Sequence, residues 1–320
     1  MINTYKPEGF NFPLQRTREA SFTRAMLEKT MATGAILEGM VTLCDNDFNL
    51  HVDLDGIRGI IPRSEALYNN DGSEIKDIAI ITRVGKPVCF KVLGTSESAG
   101  KCVALLSRRQ AQIECYNNYI STLCPGDIVD AKVTHLESFG AFCDIGCGVI
   151  ALLSIDSISI SRIMHPRERL YPGMQLRCVI KHIDRTNNRI FLSTKELLGT
   201  WEENAQEFST GQTVAGVIRS IESYGIFVEL TPNLAGLAEL KDSYTLEGGR
   251  IDDTCIGKSI AVYIKNIIPE RMKIKLVLID SYKTEPPQRI FKYYVNENTT
   301  HIDYWKYSPD GAPKLIETVF

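Results

Sequence analysis

The chain has 320 residues, 44% of them apolar and 23% charged, which is ordinary for globular protein and enough for roughly two or three packed cores. A net charge of −3 excludes a protein that grips duplex phosphates along its whole length. Nine scattered cysteines, an odd number, read as reduced core residues rather than a disulfide framework. No apolar run reaches the roughly 18 residues of a membrane span, and the opening MINTYKPEGFNFPLQR lacks the apolar stretch of a secretory leader, so a cytoplasmic protein with no membrane partner is expected.

Residues 1–32 form an N-terminal extension whose segment 21–31 has helical spacing, with Phe22, Ala25, Met26 and Leu27 available for one face. Residues 33–108 alternate apolar with polar in TGAILEGMVTL, GIRGIIPRSEA, VGKPVCFKVL and VALLSRR, interrupted by the polar loop NNDGSE. Residues 109–123 return to helical spacing through Ile113, Tyr116, Ile120 and Leu123. In residues 124–195, Val129, Ala131 and Val133 share one strand face and a Ser-Phe-Gly turn leads into the next strand. Strands over 175–183 and 189–193 follow, joined by a polar turn at Asp184. Residues 196–209 read as a second linker helix through Leu197, Trp201, Ala205 and Phe208, and residues 210–280 alternate again. In the last segment, 281–320, IFKYYV, HIDYWKYS and PKLIETVF read as strands, with a turn from Ser308 to Gly311, predicting a small sheet on the preceding unit. Its rings, including Tyr293, Tyr294, Tyr304, Trp305 and Tyr307, read as a cover for that unit, with a further stacking surface as the alternative.

Two of these segments are copies. PGDIVDAKVTHLESFGAFCDI and TGQTVAGVIRSIESYGIFVEL place Gly126 and Gly211 85 residues apart, and further on LYPGMQLRCVIKHI aligns with TCIGKSIAVYIKNI. A repeat of this length with about five short strands indicates an array of small closed barrels. Residues 33–108 are a degraded first copy. Around Phe48 the glycine is missing and one aromatic at most is in place, while Glu38, Asp45, Asp47, Asp53 and Asp55 crowd the same strands.

The ordered set of Gly, aromatic pair, second Gly and terminal Leu-Ser resembles the S1 RNA-binding domain, and the whole chain is similar to the bacterial ribosomal protein S1 family in a shortened, three-repeat form. The resemblance implies a mainly β protein of three tandem five-stranded OB-fold barrels, joined by helical linkers and ending in a small β extension. It further implies single-stranded RNA binding through Phe139 and Phe142 in the second repeat and Tyr224 and Phe227 in the third, with Asp184 and Arg189 at the family's acidic and basic positions. The family's histidine is replaced by Ser154, Glu239 and Pro62 in the second, third and first repeats.

Stacking on a ring contributes about 1–3 kcal/mol per base without choosing the base, so rings suit an RNA binder of low net charge. Nearby cations are Lys132, Lys181, Arg185 and Arg189 in the second repeat, and Arg219, Lys265, Arg271 and Lys273 in the third. The alternative is that a Phe-Gly-x-Phe strand simply fills the core. The acids of the first repeat repel phosphates, and the resemblance associates leading repeats with docking to the ribosome. Five dispersed histidines and the lack of nucleophile-elbow or P-loop spacing give an enzyme no support, and Cys143 with Cys147 does not complete a metal site. The expectation is a non-catalytic mRNA binder on the small ribosomal subunit, without cofactor or small-molecule substrate; the alternative is an accessory of an RNA-decay or transcription complex.

Overall fold

The computed structural model describes residues 5–10, 22–69, 75–98, 100–239, 245–246, 249–250, 253–280 and 291–320. The first barrel is built from β1 (Leu37–Cys44), β2 (Leu50–Leu54), β3 (Ile57–Ile61), β4 (Pro87–Ser98) and β5 (Lys101–Ser107). The second holds β6 (Ile128–Glu137), β7 (Gly140–Asp144), β8 (Ile150–Ser154), β9 (Gln175–Asp184) and β10 (Arg189–Ser193). The third begins with β11 (Thr213–Glu222), β12 (Gly225–Thr231) and β13 (Leu234–Glu239). After a two-residue hairpin, β14 (Thr245–Leu246) and β15 (Gly249–Arg250), it closes with β16 (Ser259–Ile268) and β17 (Lys273–Asp280).

All three sheets close with one topology. Three strands form an antiparallel meander, the first also pairs with the fourth, and the third runs parallel to the fifth. Closure leaves no free edge. A register shift in each first strand, between Val41 and Leu43, Val133 and His135, and Ile218 and Ser220, bends it so that its two ends serve different neighbours. Alternation supplies the cores: Val129, Ala131 and Val133 point inward, as do Val214 and Ile218 in the third barrel.

The linkers depart from the expected faces. Helix Arg108–Asn118 buries Arg108, Ala111, Gln112 and Cys115, whereas Ile113 and Tyr116 are only half-buried. Polar residues can face inward there because each is bonded: Arg108 donates to both Glu8 oxygens at 2.6 and 3.0 Å, and Gln112 donates to the Cys147 carbonyl at 3.0 Å. The second linker is not continuous. A 3-10 turn, Lys195–Leu198, stops at Gly199 (φ +84°), and a Thr200–Glu203 capping box starts the helix Trp201–Ala205. The break lets Leu198 enter the second core and Trp201 the third. The N-terminal helix spans Arg24–Thr33, capped by Thr23, and buries Leu27 and Thr30, leaving Ala25 exposed. Thr30 is accommodated because its hydroxyl donates to the Met26 carbonyl at 2.7 Å.

The tail also differs. Ile290 lies outside the described residues, and Phe291–Val295 forms no ladder. Phe291 and Tyr293 pack on the second barrel rather than the third, and the Arg177 guanidinium donates to the carbonyls of Val295, Asn296, Glu297 and Thr299 at 3.0–3.3 Å. The chain then crosses to the third barrel, where Trp305 and Tyr307 join its core and β18 (Tyr304–Lys306) pairs with β19 (Glu317–Val319). The tail thus straps two barrels together.

Candidate nucleic-acid interface

In β7, Ala141 and Cys143 point into the barrel, so Phe142 and Asp144 point out. Cross-strand pairing extends the outer face into a single row across all five strands: His135, Phe142, Leu152, Phe191 and His182. Phe139, at the β6–β7 turn and 52% exposed, stands edge-on to Phe142 with ring centres 6.0 Å apart. His135 lies nearly parallel to Phe142 at 6.5 Å, and His182 to Phe191 at 6.0 Å. Phe139, Phe142, Leu152 and Phe191 belong to none of the buried apolar clusters.

The glycine between the rings has a steric reason. A Cβ on Gly140 would sit 2.5 Å from the Leu153 carbonyl oxygen, and one on Gly225 2.6 Å from that of Ala238. Only glycine lets the ring-bearing strand approach its neighbour so closely.

The row beside the rings carries Lys132, Asp144, Ile150, Arg189 and Asp184. Lys132 is engaged, donating to the Glu8 carbonyl at 2.9 Å. Asp184 caps its own hairpin, accepting from the Asn187 side chain at 2.7 Å and from the Thr186 and Asn187 amides. The Asn187 side-chain bond foremost holds its carboxyl below the ordinary value. Arg189 is exposed opposite it, and Arg185 reaches the Leu123 carbonyl at 3.4 Å while staying exposed. Ser154 and Lys181 both donate to the Ser157 hydroxyl at 3.0 Å, joining them beside the ring pair.

The third barrel repeats the row as Ser220, Phe227, Leu237, Lys275 and Asn266. Tyr224, 59% exposed, is edge-on to Phe227 at 6.2 Å. Lys265, Arg271 and Lys273 are exposed. Arg219 is not: its Nε donates to Glu229 at 2.7 Å and it pairs also with Glu168, so two carboxylates neutralise it in the joint between barrels. In the first barrel the row is Leu43, His51, Ile60, Leu105 and Gly94, with Leu43 and Leu105 exposed. His51 is buried between Asp45 at 3.0 Å and Arg58 at 3.1 Å, and Phe48 is half-buried beneath Arg63. The His51 bond and the Asn49 amide hold Asp45 down to about 2.

His135, His182 and Phe191 are additions that spacing did not single out. The signal was nonetheless present, since pairing Asp184 with Arg189 across the hairpin also places residues 182 and 191 on one face. Among the described residues no cluster of three or more metal-ligating side chains occurs, and no helix is long and apolar enough to cross a membrane.

The S1 RNA binding domain family model matches residues 30–105 and 123–195, which span the second barrel and all but the last two residues of the first. The chain is 29% identical over 275 residues to small ribosomal subunit protein bS1 of Rhizobium meliloti (strain 1021), covering 82% of this chain and 45% of that protein. It is 31% identical over 220 residues to the bS1 homolog of Bacillus subtilis (strain 168), covering 67% of this chain and 54% of that one. With bS1 of Staphylococcus aureus (strain COL) the identity is 30% over 233 residues, covering 71% and 57%. The chain spans about half the length of these curated relatives. With three barrels of one topology and a ring pair at the same turn and following strand of two of them, the chain belongs to the S1 RNA-binding domain family and is a bacterial S1-type protein.

Proposed function

We propose that the protein is a non-catalytic binder of single-stranded RNA, mRNA above all, acting with the small ribosomal subunit. The observation that carries this reading is the outward row of rings on the second barrel, repeated in shorter form on the third. Rings held on a closed barrel and excluded from its core present flat apolar faces to unpaired bases, which A-form duplex hides. Arg185, Arg189, Lys265, Arg271 and Lys273 stand exposed in the same two barrels to meet phosphates.

The first barrel supports a different task. Its equivalent row exposes Leu43 and Leu105 in place of rings and it carries exposed Asp47, Asp53 and Asp55, which suit a protein surface better than a polyanion. The same barrels acting away from the ribosome, as an accessory of an RNA-decay or transcription complex, are the competing reading. Co-sedimentation with purified small subunits at moderate salt separates the two. Stable co-migration is expected, and free protein at the top of the gradient, with RNA binding intact, favours the accessory role.

A further inference from the structure

The second barrel differs from its neighbours at one end of the row. Where β10 carries Phe191, the third barrel has Lys275 and the first Leu105; where β9 carries His182, they have Asn266 and Gly94. Ile190 and Leu192 are buried on either side of Phe191, so its ring lies on the outer face, and it joins no apolar cluster. His182 is exposed and lies at 30° to it. The row is therefore nearly symmetric about Leu152, with a phenylalanine-histidine pair on each side. Two strand spacings, about 10 Å in all, separate Phe142 from Phe191. That leaves each ring room for its own base.

We propose that Phe191 and His182 form a second nucleobase-stacking position, so that the second barrel holds two bases of one RNA strand, one on each side of Leu152. The inference rests on the RNA-binding reading above and extends it to a position that the third barrel lacks. There Lys275 stands in place of the ring and pairs with Glu239 at 3.4 Å, so the third barrel contributes one stacked base.

Titration of the full chain with oligouridine tests both ideas separately. Phe191→Ala should weaken binding about tenfold or more, as Phe142→Ala should, while Phe191→Tyr retains the wild-type affinity because it keeps the ring. If Phe142→Ala weakens binding and Phe191→Ala does not, the second position is wrong and the RNA reading stands. If the wild-type protein does not bind oligouridine, both fall. A measurement on the unaltered protein guards against a folding defect in the variants: oligouridine carrying 4-thiouridine is photo-crosslinked and the adducts are mapped by mass spectrometry. Adducts on Phe191 or His182 are expected; adducts confined to His135, Phe139 and Phe142 overturn the proposal.

Discussion

At the scale of single residues, exposure and packing assign opposite roles to rings of similar sequence context. Phe90 is fully buried in the first core, whereas Phe142 and Phe227 lie outside every apolar cluster. Truncating a core phenylalanine costs about 3–5 kcal/mol of folding free energy. Phe142→Ala and Phe227→Ala should instead leave the melting temperature nearly unchanged and weaken RNA binding by about 1–3 kcal/mol each. Thermal melting and RNA titration on the same samples check this; a large drop in melting temperature with unaltered affinity would return both rings to the core. Gly140→Ala should behave in the opposite sense. Its Cβ meets a backbone carbonyl, so β8 must move, at a cost of about 1–3 kcal/mol read from chemical denaturation. The Phe-Gly-x-Phe pair was legible in the sequence because all its members are local. The loss of Arg219 was not, because its partners lie 10 and 51 positions away and only folding brings them together.

At the scale of elements, the joints between barrels follow one pattern. Asp144 and Glu229 each stand two residues beyond the row phenylalanine, on the outer face, and each is buried by what precedes its barrel. Asp144 accepts from the Glu8 amide at 2.7 Å and from the amides of Gly146 and Gly148, while Glu8 is clamped by Arg108. Glu229 receives Arg169 of the second barrel at 2.5 and 2.9 Å. Burial alone would raise the Glu229 carboxyl, but Arg169 and then Arg219 outweigh it and hold it below the ordinary 4.5. A depressed folded value means that the unfolded chain binds more protons in the window just below 4.5, so stability rises with pH there and is lost as pH falls through the folded value. Urea midpoints measured on acidification should fall across that window, and Glu229→Gln should flatten the slope. Glu229→Ala takes the carboxylate from the buried Arg169 guanidinium, while Arg219 keeps Glu168, and should cost about 3–5 kcal/mol at neutral pH. A midpoint within experimental error of wild type would show that the joint is dispensable. Helical spacing predicted a continuous second linker, but Gly199 divides it, since each half must follow a different barrel.

At the scale of the whole molecule, rings accompanied by few exposed cations in the two ring-bearing rows predict a particular response to salt and to RNA structure. If the five exposed cations named above each contact one phosphate, affinity for single strands falls with salt with a logarithmic slope no steeper than about −3.5. A pyrimidine-rich single strand should bind more tightly than a duplex of equal length. A steeper slope, or equal affinity for the duplex, would replace stacking by charge as the source of binding. The first barrel should be separable in function within the intact chain. Leu43→Ser with Leu105→Ser should leave RNA affinity within about twofold, because neither residue lies on a ring-bearing barrel, and should reduce co-sedimentation with small subunits.

The sequence by itself determined the number of barrels, the run of strands along the chain and the two ring pairs. These depend on alternation, turn residues and the Phe-Gly-x-Phe strand, all of which act within a few residues and recur at a fixed period. Tertiary structure alone decided which charges remain free, because Lys132 is bonded by Glu8 and Arg219 is paired with Glu168, both from other modules. It also decided that Phe191 and His182 continue the ring row, since β8 and β10 become neighbours only through a parallel pairing that closes the barrel. The strap formed by the tail has the same origin. Alternating rings look alike in sequence whichever surface they cover, and Phe291 and Tyr293 found the second barrel because the chain reaches it before β18 meets the third.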